Sequence, residues 1–478
     1  MTRIECDVAI IGAGTAGLYA LRAVRRAGAS FVLIDHGPLG TTCARVGCMP
    51  SKVALHMGAQ WQAAQKLAVL GGSGMEQLSL DRAAAWSWLR RQRDAFSGSA
   101  EGKAREAAGK HLLEGRARFV ASDRLLVLLN SGAEREVCAK AIIVATGSHA
   151  VVPSWLDGLR GRVITTDELF ELETVPDSVG ILGLGAIGLE MGLALARLGV
   201  QVTGADIANT IGGMSDPEVA ARAIDRFRSE MQIWLQAPAQ LSADGSGVLM
   251  QTDDGRRTKV DMVLAALGRR PNLDGLCFAE AGVELDTRGV PPFDPHTLQI
   301  GQMPIFLAGD ANADRSLMHE AAHEGDIAGR NAALLAQNPD AQAEAYGRAT
   351  PLSIAFSNPD LASVGARLNS LDSQQIVIGS AEGQANGRLR ILGEHSGLLR
   401  VYADKSTGRL LGAGMLAAGG EHLAHLLAWS IGRGETAGEL LQMPFYHPVV
   451  EELVQSAMLD IVRQVGHQAP ARTDSARV

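Results

Sequence analysis

Two cysteines near the start of the sequence have the residue type and spacing that most directly suggest chemistry. Cys43 and Cys48 lie in the segment GTTCARVGCMPSK, residues 40–52. A regular α-helix would separate them by about 7.5 Å along its axis, which is beyond the reach of a disulfide. A bond between them therefore requires an irregular backbone, and Gly47 and Pro50 favour one. In a reducing compartment such a close pair is more typical of a catalytic or metal site than of a structural disulfide.

Redox chemistry explains the pair better than zinc does. A structural zinc site needs two more cysteine or histidine ligands, and the nearest histidines, His36 and His56, match no familiar zinc spacing. The five cysteines of the chain are also too few for a disulfide scaffold in 478 residues. We therefore predict a redox-active dithiol and no metal.

A dinucleotide turn precedes the cysteines. The apolar run DVAII (7–11) predicts a strand, LYALRAVRRAG predicts a helix, and FVLID (31–35) predicts a second strand that ends in Asp35. The turn between the first strand and the helix has the pattern G-x-G-x-x-G, formed by Gly12, Gly14 and Gly17. Such glycines let a pyrophosphate approach the helix N-terminus, and an acid at the position of Asp35 can accept a hydrogen bond from a ribose hydroxyl.

The same unit recurs in the middle of the chain. VGIL (179–182) leads into GLGAIG, with Gly183, Gly185 and Gly188, and a second strand ends at Asp206. Two such units form an internal repeat and predict two bound dinucleotides. No Arg or Lys occurs in the segment IANTIGGM that follows Asp206, and an acid there repels a 2′-phosphate. The second nucleotide is therefore predicted to be NAD(H) and not NADP(H).

The remaining segments complete an α/β pattern. AKAIIVATGSHAVVP (139–153) predicts a strand followed by a turn at Gly147, and DMVLAALGRRPN (261–272) occupies the equivalent place after the second unit. Residues 304–332 predict a buried strand, a Gly-Asp turn and a helix. From about residue 350 alternating strands and a further helix indicate a different, α+β domain.

Composition bounds the class of protein. A chain of 478 residues suggests about three domains, and 46% apolar with 20% charged residues is a globular composition. The net charge of −8 and the absence of a basic run argue against nucleic-acid binding. No apolar run approaches the length of roughly 18 residues that a bilayer span needs, and no secretory signal is evident, so we expect no membrane association and a cytoplasmic location.

From Asp7 to about Val465 the chain resembles the flavin-dependent pyridine nucleotide–disulfide oxidoreductases and, among them, the dihydrolipoamide dehydrogenases most. The resemblance rests on motifs in a specific order: residues 40–52, VATG (144–147), GLGAIGLE (183–190), ALGRRPN (266–272), AGD (308–310), FSNPDLASVG (356–365) and HPVVEE (447–452). It implies an α/β fold with two Rossmann-like dinucleotide-binding domains, for FAD and NAD, and a C-terminal α+β dimerisation domain. The implied limits are 1–150 and 271–345 for the FAD domain, 151–270 for the NAD domain, 346–465 for the dimerisation domain and 466–478 for a polar tail.

The resemblance also implies roles for the dithiol segment. Cys43 would be the thiol that exchanges with the sulfur of the substrate, and Cys48 would face the flavin as a thiolate. Lys52 would approach the flavin ring and pair with Glu190, because a cation there favours the reduced, anionic flavin. A nearby cation and a helix N-terminus would lower the thiol pKa values for this role.

His447 and Glu452 are the implied acid–base pair. Pro is favoured at the first position of a helix, so Pro448 predicts that a helix starts there, with the ring of His447 at its beginning. Glu452 would orient the imidazole, which takes the proton of the incoming thiol. The resemblance implies that this histidine acts on the cysteine pair of the other subunit, and therefore that the protein is a homodimer.

Other site residues follow from matched positions. Asp310 would hold the ribityl chain of FAD, and Leu317 would contribute backbone near the isoalloxazine. The implied FAD site also contains the first glycine turn (Gly12, Gly14 and Gly17), Asp35, Thr42, Lys52, Thr146, Gly147, Met318 and His319. The NAD site would comprise the second glycine turn, Glu190, Asp206 and Gly268. We expect His319 to position the flavin and not to act in catalysis.

Some residues depart from the usual pattern. The segment around the first cysteine usually reads Gly-Gly-Thr-Cys-Leu-Asn, whereas this chain has Thr41, Ala44 and Arg45 at the second, fifth and last of these places. The usual His-Pro-Thr-x-Ser-Glu is here His447-Pro448-Val449-Val450-Glu451-Glu452. Phe445 and Tyr446 add aromatic bulk before His447 and predict a narrower substrate channel. Ala186 replaces the tyrosine lid of glutathione reductase-like enzymes. The sequence also shows neither the additional N-terminal metal-binding module nor the C-terminal cysteine pair expected of a mercuric reductase. Two cysteines argue against flavin NADH oxidases and transhydrogenases.

Three hypotheses follow. The first is FAD-dependent oxidation of dihydrolipoyl groups with NAD⁺, with the lipoyl-bearing acyltransferase of a 2-oxo acid dehydrogenase complex as a partner. The second is NADH-dependent reduction of another small disulfide. The third is a non-catalytic assembly subunit that keeps the flavoprotein fold, against which the intact dithiol, His447 and Glu452 argue. The direction of net electron flow stays open, because about 30 mV is worth roughly 1.4 kcal/mol in a two-electron couple.

Overall fold

A computed structural model describes residues 2–466 of the chain. The predicted polar tail, 466–478, lies outside these described residues except for Gly466, which ends the last helix. None of the described helices combines the length and the apolar character that crossing a membrane requires.

The described residues form twenty-one strands. In chain order, β1 to β21 cover Thr2–Ile11, Phe31–Asp35, Leu112–Ala121, Arg124–Leu129, Glu134–Val144, Ser148–Ala150, Val163–Ile164, Ser178–Leu182, Gln201–Ala205, Gln232–Trp234, Ala239–Asp244, Gly247–Thr252, Arg257–Val260, Met262–Ala265, Arg269–Pro271, Ile305–Leu307, Leu352–Ala355, Asp360–Gly365, Ile376–Glu382, Leu398–Asp404 and Leu410–Ala417.

The helices range from one turn to more than seven. In chain order, α1 to α12 cover Thr15–Arg26, Thr42–Val46, Cys48–Lys66, Arg82–Ala108, Thr166–Leu169, Ala186–Arg197, Pro217–Phe227, Met318–Gln337, Gly387–Leu392, Gly420–Gly432, Ala437–Leu440 and Glu452–Val465. Short 3₁₀ turns cover Leu67–Leu70, Met75–Gln77, Gly109–His111, Ser154–Leu159, Phe278–Ala281, Gly309–Asn312, Leu368–Ser370 and Gly383–Ala385.

The chain divides into two compact units, each assembled from separate segments. The first unit comprises the residues up to Pro50, Ser87–Val151 and Leu267–Arg348. The second comprises Ser51–Trp86, Val152–Ala266 and the described residues from Ala349 onward.

The first unit is built on a parallel sheet with the order β3-β2-β1-β5-β16. Strand β4 pairs antiparallel with both β3 and β5, which extends the sheet beyond its parallel part. Apolar side chains fill both faces of this sheet, as expected for parallel strands covered on two sides. Helix α1 packs on α8 so closely that a Cβ at Gly325 would lie 2.2 Å from the carbonyl oxygen of Ala16, so only glycine fits there.

The second unit contains a parallel sheet of the same design, with the order β10-β9-β8-β14-β7. The repeat predicted from the glycine patterns is therefore a repeat of whole sheets, with β8 and β9 in the places of β1 and β2. A three-stranded antiparallel sheet, β11-β12-β13, is inserted in the chain between β10 and β14 of this parallel sheet.

The C-terminal part of the second unit has an antiparallel sheet with the order β17-β18-β21-β20-β19. Helices α10 and α12 bury their apolar sides on this sheet, around Leu399, Val401 and Met415. The predicted change from α/β to α+β architecture after residue 350 is thus confirmed.

Candidate functional site

The first glycine turn joins β1 to α1. Gly12 has φ +108°, and a Cβ on it would lie 2.2 Å from the carbonyl oxygen of Ala145. A Cβ on Gly17 would lie 1.8 Å from the carbonyl oxygen of Gly12. Gly14 is the residue before α1, and no side chain caps the helix. Gly12 and Gly17 are required by close backbone contacts, whereas nothing lies within 4 Å of a Cβ on Gly14, and the first N–H groups of α1 remain available to a ligand.

The second glycine turn repeats this geometry between β8 and α6. Gly183 has φ +87°, and a Cβ on Gly188 would lie 1.9 Å from the carbonyl oxygen of Gly183. Gly185 precedes α6, again without a side-chain cap. The matching clashes show that the two turns share one design and not only a sequence pattern.

Asp35 and Asp206 hold the two turns in the same way. Oδ2 of Asp35 accepts a hydrogen bond from the N–H of Ala13 at 2.6 Å. Oδ2 of Asp206 accepts the equivalent bond from the N–H of Leu184, also at 2.6 Å. The predicted contacts of both acids with a ribose remain predictions.

The residues around the first turn fit a bound dinucleotide. A helix that starts without a side-chain cap presents unpaired N–H groups and the positive end of its dipole, which suits a pyrophosphate. The buried hydroxyl of Thr146 has no hydrogen-bond partner within residues 2–466. A buried orphan hydroxyl is unfavourable without a ligand, so it is consistent with the predicted contact to FAD. Beside it, Gly147 forms a tight turn with φ +71°.

Asp310 is held in place by two residues to which the sequence analysis gave no role. The Ser148 hydroxyl donates to Oδ2 of Asp310 at 2.7 Å. Nε of Arg269 donates to the same hydroxyl at 2.8 Å and lies 4.0 Å from the carboxylate. Ser148 lies in β6 and Arg269 in β15, and these two strands pair antiparallel. Both residues belong to segments that the sequence motifs include, but their contact with Asp310 depends on the folded chain.

A buried glutamate supports the turn that carries Asp310. Oε2 of Glu324, on α8, accepts from the N–H of Gly309 at 2.8 Å and from the side chain of Asn312 at 2.7 Å. Arg348 pairs with the other oxygen at 2.5 Å. The turn at Gly309–Asn312 is therefore fixed by charge-assisted hydrogen bonds to the buried carboxylate of Glu324.

The predicted flavin neighbours at the start of α8 are exposed in the first unit. Leu317 precedes this helix, Met318 and His319 begin it, and no side chain caps it. The placement leaves backbone groups available, as the predicted positional role of these residues requires. Gly268 lies in the turn before β15, with φ +98°, and its predicted NAD contact remains a prediction.

The cysteine segment has the irregular backbone that its spacing requires. Helix α2 ends before Gly47, whose φ and ψ are −128° and −115°, and Cys48 begins α3. A Cβ on Gly47 would lie 3.3 Å from Cα of Cys43, so the backbone at this break passes close to the first cysteine. Both cysteines are half-buried. The disulfide itself remains a prediction.

Thr41, before the first cysteine, adopts a conformation that favours glycine. Its φ is +61°, and its hydroxyl accepts from the N–H of Ala44 at 3.2 Å, which caps α2. Threonine thus occupies a left-handed position at the place where the resemblance expects glycine. Thr42 is the first residue of α2, and its FAD contact remains a prediction.

Lys52 and Glu190 form the ion pair that the resemblance implied. Nζ of Lys52 lies 2.9 and 2.7 Å from the two carboxylate oxygens of Glu190. The lysine side chain is 35% exposed and the glutamate 6%. Phe356 contacts both partners: its N–H donates to Glu190 at 3.0 Å, and its ring centroid lies 4.6 Å from Nζ. The pair is confirmed, whereas its position beside a flavin remains a prediction.

The predicted helix start at Pro448 is wrong. The bond between His447 and Pro448 is cis, the following residues form a turn, and α12 begins at Glu452. The carboxylate of Glu452 accepts from the N–H of Val449 at 3.1 Å, which closes this turn. The preference of proline for a first helical position was outweighed by a carboxylate that binds the preceding backbone.

The relation between His447 and Glu452 is as predicted. Nδ1 of His447 is hydrogen-bonded to Oε1 of Glu452 at 3.0 Å, and the histidine side chain is 78% exposed. This bond and that from Val449 lower the pKa of Glu452 below its usual value. The acid is therefore ionised at neutral pH, and Nε2 is the nitrogen that can meet another molecule.

The two aromatic residues before His447 differ in environment. Phe445 packs against the apolar core of the C-terminal sheet. Tyr446 is 81% exposed. Of the two, Tyr446 has the larger exposed surface with which to contact a substrate, because Phe445 is partly buried. The cysteines belong to the first unit and His447 to the second, so their predicted meeting across two subunits remains a prediction.

Comparison with known proteins gives a consistent family. The family described as "Pyridine nucleotide-disulphide oxidoreductase" matches residues 6–325, and its dimerisation domain matches residues 352–458. Within the described residues, no group of three or more His, Cys, Asp and Glu side chains is arranged to hold a metal ion.

Individual relatives carry different names. Dihydrolipoyl dehydrogenase 3 of Haloarcula marismortui is 26% identical over 94% of this chain and 95% of its own length. A mercuric reductase of Streptomyces lividans is 30% identical over 92% of this chain and 93% of its own length. The copper(II) complex of the HOCl-induced flavoprotein disulfide reductase RclA of Escherichia coli has a TM-score of 0.81 at 22% identity and covers 95% of this chain and 99% of its own. The comparisons agree on fold and family, while the names of the relatives span several substrates.

Proposed function

Because the chain belongs to the pyridine nucleotide-disulphide oxidoreductase family, we propose that it oxidises dihydrolipoyl groups with NAD⁺ through the Cys43–Cys48 pair. The observation that carries this proposal is the break at Gly47, which interrupts the helix between the two cysteines. That geometry gives a five-residue spacing the irregular backbone that thiol–disulfide exchange needs. Support for the lipoyl substrate comes from relatives named dihydrolipoyl dehydrogenase that align over 94% and 95% of the chain.

The side chains divide the exchange reaction among them. His447 accepts the proton of one substrate thiol, and the resulting thiolate attacks Sγ of Cys43, so that Cys48 leaves as a thiolate. The second substrate thiol attacks the substrate sulfur of this mixed disulfide, Cys43 leaves as a thiolate, and the proton of the second thiol passes to the leaving sulfur. The substrate leaves as a cyclic disulfide, and the two electrons remain on the cysteine pair.

Two cofactors complete the proposal. When bound, FAD supplies a two-electron acceptor for the cysteine pair and NAD⁺ supplies a hydride acceptor. The first glycine turn, Asp35, Thr146 and Asp310 would hold FAD, and the second turn and Asp206 would hold NAD. The carboxylate of Asp206, with no cation in the residues that follow, supports NAD over NADP.

Assembly and location extend the proposal. The match to a dimerisation domain supports a homodimer in which His447 of one chain serves the cysteines of the other. A lipoyl-bearing acyltransferase of a 2-oxo acid dehydrogenase complex would be the partner that carries the substrate. A cytoplasmic location is consistent with a reducible cysteine pair.

A second candidate is NADH-dependent reduction of another small disulfide. The exposed aromatic ring of Tyr446, next to His447, favours it because this ring would narrow access to the imidazole. The mercuric reductase relative also weakens one sequence argument: this chain covers 93% of that protein, so an additional N-terminal module does not separate the two. The third hypothesis, a non-catalytic subunit, has no supporting contact in the described residues.

The test is a steady-state assay of the purified protein with dihydrolipoamide and either NAD⁺ or NADP⁺. Turnover with NAD⁺ is expected, and Cys48→Ser should abolish it while FAD stays bound. Cys138→Ser, outside the pair, is the matched control and should retain turnover. Turnover in Cys48→Ser would refute the mechanism. No turnover of dihydrolipoamide by the wild type, with NADH-dependent reduction of another compound from a panel of disulfides, would favour the second candidate.

A further inference from the structure

Phe356 touches both members of the Lys52–Glu190 pair, although it belongs to the C-terminal part of the chain. Its backbone N–H donates to Oε1 of Glu190 at 3.0 Å. Lys52 supplies the other hydrogen bonds that the carboxylate receives, so one residue of the segment FSNPD shares the acid with the lysine. A carboxylate that is 6% exposed depends on such donors, because it has little access to water.

The ring of Phe356 acts on the lysine. Nζ of Lys52 lies 4.6 Å from the ring centroid, within the distance of about 6 Å at which a cation is attracted to an aromatic face. The ammonium group is thus placed by the carboxylate and the ring together. A long, flexible lysine side chain would otherwise sample several rotamers.

Arg197 fixes the segment that carries Phe356. Its guanidinium donates to the carbonyl oxygens of Ser357 at 2.6 Å and Asn358 at 3.0 Å. The side chain is only 1% exposed and is paired with Glu230 at 2.7 Å. Because this anchor is buried and charge-assisted, the backbone at Ser357 cannot shift without breaking it.

The two contacts lie on one face of helix α6. Glu190 and Arg197 are seven residues apart, which is about two helical turns, so their side chains project to the same side. Glu190 accepts a hydrogen bond from the N–H of Phe356. Arg197 donates hydrogen bonds to the carbonyl oxygens of the two residues that follow Phe356. Helix α3 lies against the same face, since a Cβ on Gly58 would be 2.9 Å from Cβ of Arg197.

We propose that Phe356 is a positioning residue that holds the Lys52 ammonium in the orientation required toward the flavin, and that Arg197 holds Phe356. The proposal rests on the FAD site of the proposed function but not on the identity of the sulfur substrate. In this proposal the segment FSNPD influences the reduction potential of the flavin through its contacts with Lys52 and Glu190, which are made within the second unit. Without the ring, the ammonium keeps its hydrogen bonds to Glu190 and to the Ser51 hydroxyl but loses the aromatic face that fixes its direction, and it stabilises the reduced, anionic flavin less.

The test measures the midpoint potential of the bound flavin against a reference dye, with no dithiol present. Phe356→Leu removes the aromatic face and keeps the backbone N–H, and its potential should be more negative than that of the wild type. Phe356→Tyr keeps the face and should restore the wild-type potential. Arg197→Lys, which keeps a cation for Glu230 but loses the fork that binds the two carbonyl groups, should shift the potential in the same direction.

Phe227→Leu is the matched control. Phe227 is buried in the same unit and also lies near a cation, Arg226, at 5.7 Å, but it does not contact the Lys52–Glu190 pair. Its potential should not change. If Phe356→Leu fails to fold, Phe356→Met tests the same point, because it fills a similar volume without an aromatic face.

The outcomes separate this inference from the proposed function. An unchanged potential in a flavin-loaded Phe356→Leu, or an equal shift in Phe227→Leu, overturns the inference and leaves the proposed function intact. A failure to turn over dihydrolipoamide leaves the inference intact, because the potential is measured without it. A wild-type protein that binds no FAD overturns both.

Discussion

Nδ1 of His447 and Oε1 of Glu452 are joined by a hydrogen bond of 3.0 Å across the turn that precedes α12. The carboxylate also accepts the N–H of Val449, so the acid that orients the imidazole shapes the backbone beside it. These bonds lower the pKa of Glu452, so the carboxylate keeps its charge to a lower pH than an ordinary glutamate does. The pair is therefore intact across the neutral pH range in which thiol–disulfide exchange takes place.

Glu452→Gln should slow dihydrolipoamide oxidation by about 10- to 100-fold, less than the roughly 10²–10⁴ that general acid–base catalysis contributes, because His447 itself is retained. The amide keeps the size of the side chain but cannot stabilise the imidazolium by charge. The kcat of the FAD-loaded variant is the measurement. Glu451→Gln, one residue earlier, is the control and should keep the wild-type rate. Equal rates in both variants would remove Glu452 from the mechanism.

Thr41→Gly should stabilise the protein by about 1 kcal/mol. A residue held at positive φ costs about 1–3 kcal/mol, and glycine removes this cost while a glycine in place of a capping threonine loses only a few tenths. Thr41→Ala retains a Cβ and loses the bond to Ala44, so it should destabilise by about 1 kcal/mol. Denaturant midpoints at a fixed FAD concentration measure both. The same sign for both variants would show that Thr41 is not strained.

Asp360→Asn should change how stability depends on pH. Burial raises the pKa of Asp360 to about 6, partly offset by the N–H of Glu421. Between the ordinary carboxyl pKa and this value the folded state holds a proton that the unfolded state has released, so this group's contribution to stability falls as pH rises. Two pKa units correspond to about 3 kcal/mol, fully expressed above pH 6. Asparagine keeps the acceptor for Glu421. The difference in free energy of unfolding between Asp360→Asn and the wild type should therefore increase, in favour of the variant, from about pH 4 to pH 7.

Asp404→Asn provides the control of opposite sign. Hydrogen bonds from the hydroxyls of Ser406 and Thr407 lower the pKa of Asp404 to about 2, so its stabilisation is present above the ordinary carboxyl pKa and is lost as pH falls. The variant should be less stable than the wild type at pH 7, with a smaller difference in acid. Denaturant midpoints across this range measure both variants. Parallel curves for the wild type and Asp360→Asn would contradict the raised pKa.

Asp206→Asn should relax the preference for NAD⁺ over NADP⁺. The amide oxygen can still accept from the N–H of Leu184, so the glycine turn is kept while the charge that repels a 2′-phosphate is lost. The ratio of kcat/KM for NAD⁺ to that for NADP⁺ should fall by about tenfold, which corresponds to about 1.4 kcal/mol. Asp35→Asn makes the same change in the other turn and should leave the ratio unchanged while weakening FAD retention. A fall in both variants would indicate a general defect.

The sequence predicted those parts of the fold that depend on local geometry. In both glycine turns the third glycine is required by the carbonyl of the first, within one strand–turn–helix unit, so spacing alone revealed the turns and their terminal acids. The contact of Gly12 with Ala145 depends instead on a distant segment. Strand β4 was not predicted, because its antiparallel pairing with β3 and β5 depends on how distant segments meet. The start of α12 was placed too early, because the preference of proline was considered without the carboxylate four residues later.

The candidate site divides in a similar way. The dithiol, His447 and Glu452 have distinctive residue types, and resemblance supplied Lys52 with Glu190. Ser148 and Arg269 were missed as supports of Asp310, and Phe356 as a contact of Lys52, although all three lie in segments already noted. Their roles depend on backbone and ring positions in the folded chain, which spacing in a sequence does not encode.

The pairing of β5 with β16 has a consequence for synthesis on the ribosome. Residues Ile142–Val144 pair with Ile305–Leu307, and the whole sheet β7–β10 with β14 lies between them in the sequence. The nascent chain can therefore complete the parallel sheet of the second unit while that of the first still has an unpaired edge. An open strand edge is prone to association with other chains, so the first sheet is exposed to it until Leu307 has emerged. Refolding of the full-length chain lacks this enforced order, and we expect it to aggregate more than synthesis does.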